Sequence, residues 1–197
     1  MPPTDWEEHY QNGDTPWEKG APSPGLVDYL AVHPPLGGRV LVPGCGLGHD
    51  VRAIAPRAEE TVGIDISASA IARAAEFPAK GRAIYQVADL FNLPAEMRNS
   101  FDWVWEHTCF CAIDLSQRPA YVEAVASALK SRAHLLAVFY LDPGNDSPDE
   151  GPPFEVSVPE LNRLFDPHFD LVDEWLPQHT YPGREGREWM RLLRVRK

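Results

Sequence analysis

R-V-L-V-P-G-C-G-L-G-H-D, Arg39 to Asp50, is the stretch that decides the fold of this 197-residue chain. A short β-branched and aliphatic run, Val40-Leu41-Val42, stops at Pro43. Three glycines at alternate positions follow, Gly44, Gly46 and Gly48, and then the helical-looking Asp50-Val51-Arg52-Ala53-Ile54-Ala55. The stretch reads as strand, tight turn and helix. Glycines so placed let the backbone adopt positive φ and approach a ligand closely, and the helix that follows aims its free N–H groups at the same spot. A nucleotide-type ligand suits such a loop. A glycine-rich turn that holds no ligand would look the same from these residues alone.

The glycine spacing separates two versions of the loop. A dinucleotide site wants G-x-G-x-x-G, with the pyrophosphate on the helix N-terminus. Here the spacing is G-x-G-x-G, closed by Asp50. A carboxylate there would repel a pyrophosphate but suits an ammonium or a sulfonium, which points to S-adenosylmethionine rather than to a nicotinamide dinucleotide.

Outward from the loop, the unit repeats. A helix over 49–55 leads to a strand at Thr61–Asp65, a helix from Ser67 to about Phe77, a strand at Ala83–Val87 and a fourth at Phe101–Trp105. Strands alternating with helices at this spacing imply βαβ units and a parallel sheet. A helix is expected over Asp114–Lys130, then an apolar strand at Ala133–Tyr140, a helix at Ser157–Phe165, and two closing strands at Phe169–Trp175 and Glu188–Val195 joined through Pro182-Gly183. The expectation is a doubly wound, mostly parallel seven-stranded sheet with a C-terminal antiparallel hairpin, in one domain over 1–197 whose Rossmann-like core spans 38–197.

Asp65 ends the second strand about 20 positions after the loop, where an acidic side chain can accept from ribose hydroxyls; next to Ser67 it could equally be a helix cap. Ile66 beside it joins the candidate cofactor wall. Asp89, Leu90 and Phe91 end the third strand, where a carboxylate can accept from an exocyclic amine and an apolar ring can pack on a base. Glu106 and His107 end the fourth. In an open parallel sheet ligands sit outside the carboxyl ends of the strands, so at least one of these two should face the reaction centre, and an imidazole can take a proton near neutrality. His107 could instead only donate a structural hydrogen bond.

The front segment, residues 1–25, is rich in tryptophan, proline and acid. A helix over Thr4–Tyr10 capped by Thr4, with Glu7 at the reciprocal position, is expected before prolines break regular structure. Trp6, Tyr10 and Trp17 either plug the edge of the core or form an aromatic lid over a cationic ligand, since ring faces attract a sulfonium as they attract ammonium groups. The loop Asp142–Pro153 is long enough to be functional or disordered.

Composition narrows the partners. With 29 acidic against 18 basic residues the net charge is -11, and no block of Lys and Arg offsets it. Such a chain should avoid nucleic acid and anionic membrane, which leaves small-molecule chemistry. Three cysteines, Cys45, Cys109 and Cys111, form no C-x-x-C pair, so neither a disulfide framework nor a metal site is implied, and Cys109 and Cys111 read as small apolar lining. No apolar run nears the roughly 20 residues of a membrane span and the start lacks a leader pattern, so a cytoplasmic protein is expected, a monomer or weak homodimer.

With these residues in view the chain resembles the thiopurine methyltransferase-like family of S-adenosylmethionine enzymes, and within it the halide and thiol methyltransferases. The matching segments are W-E-E-H-Y…T-P-W-E-K-G, V-P-G-C-G-L-G-H-D, V-G-I-D-I-S, the Asp89-Leu90-Phe91 corner, F-D-W-V-W-E-H-T-C-F-C-A-I-D, R-P-A-Y and G-P-P-F-E-V-S, which span nearly the whole chain. The resemblance implies the class I methyltransferase fold and puts Trp6, Tyr10 and Trp17 on the cofactor. It matches Gly44 and Asp65 to methionine and ribose contacts, and Asp89 and Leu90 to the adenine pocket. Family members often carry Asp-Tyr where this chain has Glu106-His107.

The reading is thus a methyltransferase acting on a small soft nucleophile: a thiol, hydrosulfide or halide. Heteroaromatic thiols and selenium or tellurium species are the alternatives within the class, and a non-catalytic cofactor-binding module is the alternative outside it. A displacement of this kind needs alignment more than proton transfer, so no catalytic triad is expected.

Overall fold

A computed structural model describes residues 4–147 and 150–197 of the chain. The first three residues and two positions of the acidic loop therefore lie outside the described residues. One seven-stranded sheet forms the centre: β1 (Arg39–Pro43), β2 (Glu60–Asp65), β3 (Ala83–Val87), β4 (Phe101–His107), β5 (Leu129–Tyr140), β6 (Phe169–Trp175) and β7 (Glu188–Val195). Their order is β3-β2-β1-β4-β5-β7-β6. β1 pairs in parallel with β2 and β4, β2 with β3, and β4 with β5, while β7 runs antiparallel to both β5 and β6.

The middles of the central strands are apolar because helices cover both faces, as parallel sheets require, and their polar residues gather at the strand ends. One core cluster joins Leu41, Ile64, Val104, Leu135 and Phe139 to Tyr121, Val125 and Phe165 of α5 (Arg118–Ala128) and α6 (Val158–Phe165). The other joins Val40, Val42, Trp105, Leu136 and Met190 to Leu26, Val51 and Ile54 of α2 (Pro24–Val32) and α3 (His49–Ile54). α4 (Ala68–Ala75) completes the crossover from β2 to β3.

Three boundaries differ from the sequence expectation. The first helix, α1, runs Trp6–Asn12, and its cap is Asp5, whose carboxylate accepts from the Glu8 N–H at 3.0 Å. Glu7, freed from capping, reaches across to α4. Asp114 caps a short 3-10 turn, and α5 starts only at Arg118 with Pro119 in its first turn, where its missing N–H costs nothing. β5 begins at Leu129 rather than Ala133; Arg132 takes a positive φ of 61° near its start, and the pairing with β4 shifts register between Phe101 and Trp103. No helix among the described residues is long and apolar enough to cross a membrane.

Candidate active site

The cofactor half of the site is built where β1 and β2 end. Gly44 and Gly46 both take positive φ, 58° and 51°. A Cβ on Gly46 would stand 2.7 Å from the Tyr10 hydroxyl, and one on Gly44 would stand 2.9 Å from Cys109 Sγ. Gly48, also at positive φ, is the N-cap of α3. Asp65 ties the loop down, accepting from the Gly46 N–H and the Ser67 N–H, both at 2.9 Å. The cap of α4 is Ser67 itself, whose Oγ accepts from the Ala70 N–H, so Asp65 is more than a helix cap. Burial pushes the Asp65 carboxyl up against the pull of those N–H groups.

Beyond Asp65, Ile66 is 60% exposed, unusual for so large an apolar side chain, and Phe91 is 38% exposed. Asp89 caps the short turn Leu90–Asn92 with one oxygen on the Phe91 N–H at 2.9 Å, while Leu90 is buried. Apolar surface flanked by two carboxylate acceptors and a close-approach loop fits a base, a ribose and a cationic tail. The same donor set does not fit a phosphate.

The front segment closes over this half. Trp17 Nε1 donates to the Tyr10 hydroxyl at 3.2 Å, and Trp17 meets Trp6 edge to face at 5.2 Å and Tyr10 at 5.8 Å. Trp6, Tyr10 and Trp17 belong to neither of the two core clusters, although Tyr10 is itself buried. Two carboxylates dock the segment. Glu7 accepts from Ser67 Oγ at 2.6 Å and from Ser69 Oγ and N at 2.7 and 3.1 Å, and Glu18 meets His49 Nε2 at 3.0 Å. The serine bonds hold the Glu7 carboxyl down at about 2.

The acceptor half lies at the end of β4, where alternation sends neighbouring side chains to opposite faces. Glu106 points into the core. It is 1% exposed and accepts from the Cys109 N–H at 3.0 Å, the Phe110 N–H at 2.9 Å and the Tyr121 hydroxyl. It clamps the turn after β4, its carboxylate taken up by these three donors, so of the two residues expected at this edge His107 is the one left with a free ring nitrogen among the described residues. Burial pushes its carboxyl up.

His107 points to the other face, with Nδ1 2.8 Å from Asp50 Oδ2. The Asp50 carboxylate, expected beside the cofactor's cationic tail, takes three protein partners, the Ser23 N–H and Trp105 Nε1, each at 2.7 Å, besides His107. Burial alone would neutralise both groups, but their mutual attraction outweighs it, holding the Asp50 carboxyl below and the His107 imidazole above its usual value. His107 Nε2 is buried without a hydrogen-bond partner among the described residues.

The C-terminal hairpin supplies the rest of this wall. Tyr181 stacks on His107 at 5.9 Å and 19° and donates its hydroxyl to the Ala21 carbonyl at 2.6 Å. Arg184 lies over the Tyr140 ring at 4.4 Å and the Tyr181 ring at 5.6 Å, and pairs with Glu188 at 3.2 Å. His107 pairs across with Val138, and Tyr140 with Glu188, so all four share one face of the sheet. None of these hairpin residues is marked by a local motif. Burial pushes the Cys109 and Cys111 thiols up, Cys111 to about 12, so neither is an activated nucleophile.

The sequence pattern described as thiopurine S-methyltransferase matches residues 1–175. The chain belongs to that family. Within it, the chain is 35% identical to thiocyanate methyltransferase 1 of Arabidopsis thaliana over 189 residues, 93% of this chain and 81% of the relative. It is 38% identical to thiocyanate methyltransferase 1 of Brassica oleracea, with the same coverage. Its fold matches the Burkholderia thailandensis 1,6-didemethyltoxoflavin-N1-methyltransferase, solved with S-adenosylhomocysteine, at a TM-score of 0.71 and 18% identity over 98% of this chain and 86% of that one. The family membership makes the chain a methyltransferase, and the seven-stranded sheet is its class I form.

Proposed function

We propose that the protein transfers the methyl group of S-adenosylmethionine to a small sulfur nucleophile. The observation that carries this is His107: at the carboxyl edge of the sheet, its Nδ1 is fixed by Asp50 while its Nε2 is buried with no partner among the described residues. When bound, S-adenosylmethionine supplies an electrophilic methyl on a positively charged sulfur. In this reading Asp65 would accept from ribose hydroxyls and Asp89 from the exocyclic amine, Ile66 and Phe91 would cover the base, and Trp6, Tyr10 and Trp17 would face the charged sulfur. His107 Nε2 receives the proton of a thiol acceptor, whose ionisation at about 8.5 leaves it mostly protonated at neutrality. Alignment and exclusion of water supply most of the rate.

Two measurements test this. S-adenosylhomocysteine should raise the melting temperature of the protein and NAD should not. Radiolabelled methyl should then appear in volatile product with hydrosulfide, methanethiol or thiophenol. Stabilisation by S-adenosylhomocysteine with no transfer to any acceptor would make the protein a binding module instead.

A further inference from the structure

We infer that Asp50 is a positioning residue that locks the His107 ring so that Nε2 presents an N–H to the acceptor, and that the acceptor is methylated as the anion of an imidazolium–anion pair. The inference rests on the reading of this pocket as a methyl-transfer site, and it adds the ionic form in which the acceptor reacts. Three features of the geometry carry it. Asp50 Oδ2 takes Nδ1 at 2.8 Å, and its other contacts, to Ser23 and Trp105 at 2.7 Å, leave the carboxylate no freedom to release the ring. Tyr181 stacks on the imidazole at 5.9 Å. Nε2 then remains as a buried polar atom that no group among the described residues satisfies, where a buried polar group ordinarily has a partner.

The groups around the ring decide its charge. Asp50 approaches from α3, Arg184 and Tyr181 from the β6–β7 loop, and Glu188 from β7; Glu106, its neighbour on β4, faces the opposite side. Arg184 opposes a positive imidazole and Glu188 favours it, but these two are paired with each other at 3.2 Å and largely cancel. Asp50, in direct contact, is left to favour the imidazolium.

Two classes of acceptor reach the same ion pair by different routes. A thiol gives its proton to neutral His107 Nε2, and the resulting thiolate attacks; the proton later leaves to water. A proton-free anion such as iodide or thiocyanate needs His107 already protonated. Its lone pair forms the new bond to the methyl carbon as the methyl–sulfonium bond breaks, the donor departs as a neutral thioether, and no proton moves.

The pH profiles of kcat/KM follow with opposite shapes. Iodide methylation should be level at low pH and fall about tenfold per pH unit above the ionisation of the imidazole. Methylation of an alkyl thiol that ionises above the imidazole should not fall there. In Asp50→Asn the falling limb for iodide should move to lower pH. Iodide methylation that is level between roughly pH 6 and 9, across the ionisation of an imidazole and a thiol, would overturn the inference, as would a limb that Asp50→Asn leaves in place.

Because Asp50 also holds Ser23 and Trp105, the variant can fail to fold, so a second measurement uses the wild-type protein alone. The His107 ring should titrate above the ordinary imidazole range by NMR, and added iodide should raise its midpoint further because anion binding and protonation are linked. A midpoint that iodide does not move would overturn the inference whether or not any acceptor is turned over. Absence of all methyl transfer would instead count against the proposed function, so the two failures are separable.

Discussion

Replacing Asp65 by Ala removes two contributions at once, and the structure separates them. The carboxylate holds the Gly46 and Ser67 N–H groups at 2.9 Å each and is itself buried. Hydrogen bonds to a charged group contribute about 1.5–3 kcal/mol apiece, but the burial that pushes this carboxyl up offsets part of that. A net loss of about 2–4 kcal/mol is expected, which lowers the melting temperature by about 4–16 °C in a chain of this size. The ribose contacts add a separate loss of about 1.5–3 kcal/mol in cofactor binding, or about 10- to 150-fold in Kd. Thermal denaturation of the ligand-free protein reads the first contribution, and titration calorimetry with S-adenosylhomocysteine reads the second. Asp65→Asn, which keeps the shape and one acceptor oxygen, should fall between wild type and Ala in both. A lower melting temperature with unchanged affinity would mean that Asp65 only staples the loop. An unchanged melting temperature would refute the stapling.

Other perturbations test other parts of the site. Deleting residues 1–20 should abolish S-adenosylhomocysteine binding in calorimetry while circular dichroism still shows a folded sheet, because Trp6 and Trp17 lie outside both core clusters; normal turnover by the truncated protein would sink the lid. Glu106→Gln should keep most of the turnover, since its work is to clamp the turn, and a loss of more than about 100-fold would restore it as a proton carrier. His107→Ala should lower methylation of an alkyl thiol several-fold at neutral pH and recover as pH passes the thiol's own ionisation at about 8.5; equal losses at every pH would make the ring mere pocket lining. Glu7, held at about 2 in the folded protein against 4.5 ordinarily, contributes to lid docking above 4.5, and that contribution is lost as pH falls through the window down to about 2. Tryptophan fluorescence should report the loosening, and Glu7→Gln should remove the transition from that window.

Much of the architecture is legible in the sequence because its signals are local. The glycine loop, the strand–helix alternation and the hairpin at Pro182-Gly183 each follow from neighbouring residues. Local rules also set the limits of the reading. Thr4 and Asp5 are both acceptable caps, and which is used depends on where Glu7 is needed in three dimensions. Asp50 looks like a charge aimed at the ligand because it closes the loop, yet Trp105 and His107, far away in the chain, claim it. Alternation along β4 says that Glu106 and His107 face opposite ways, but only the packing of Tyr121 against one face says which is which. Tyr140, Tyr181, Arg184 and Glu188 carry no motif; strand pairing and loop packing alone bring them to the site.

The antiparallel β7 has a consequence for how acceptor preference can change. The proposed cofactor contacts hang from β1, β2 and β3 at one side of the sheet, whereas Tyr181 and Arg184 sit on the loop that enters β7 at the other. A hairpin loop can lengthen, shorten or change its side chains without disturbing strand register, so the acceptor wall is free to be remodelled while the cofactor wall stays fixed. Asp50 limits that freedom, because it reaches from the glycine-loop side to Trp105 and His107. Grafting the 176–187 loop of another methyltransferase onto this chain should therefore exchange acceptor preference cleanly only where the graft still offers a flat ring to His107.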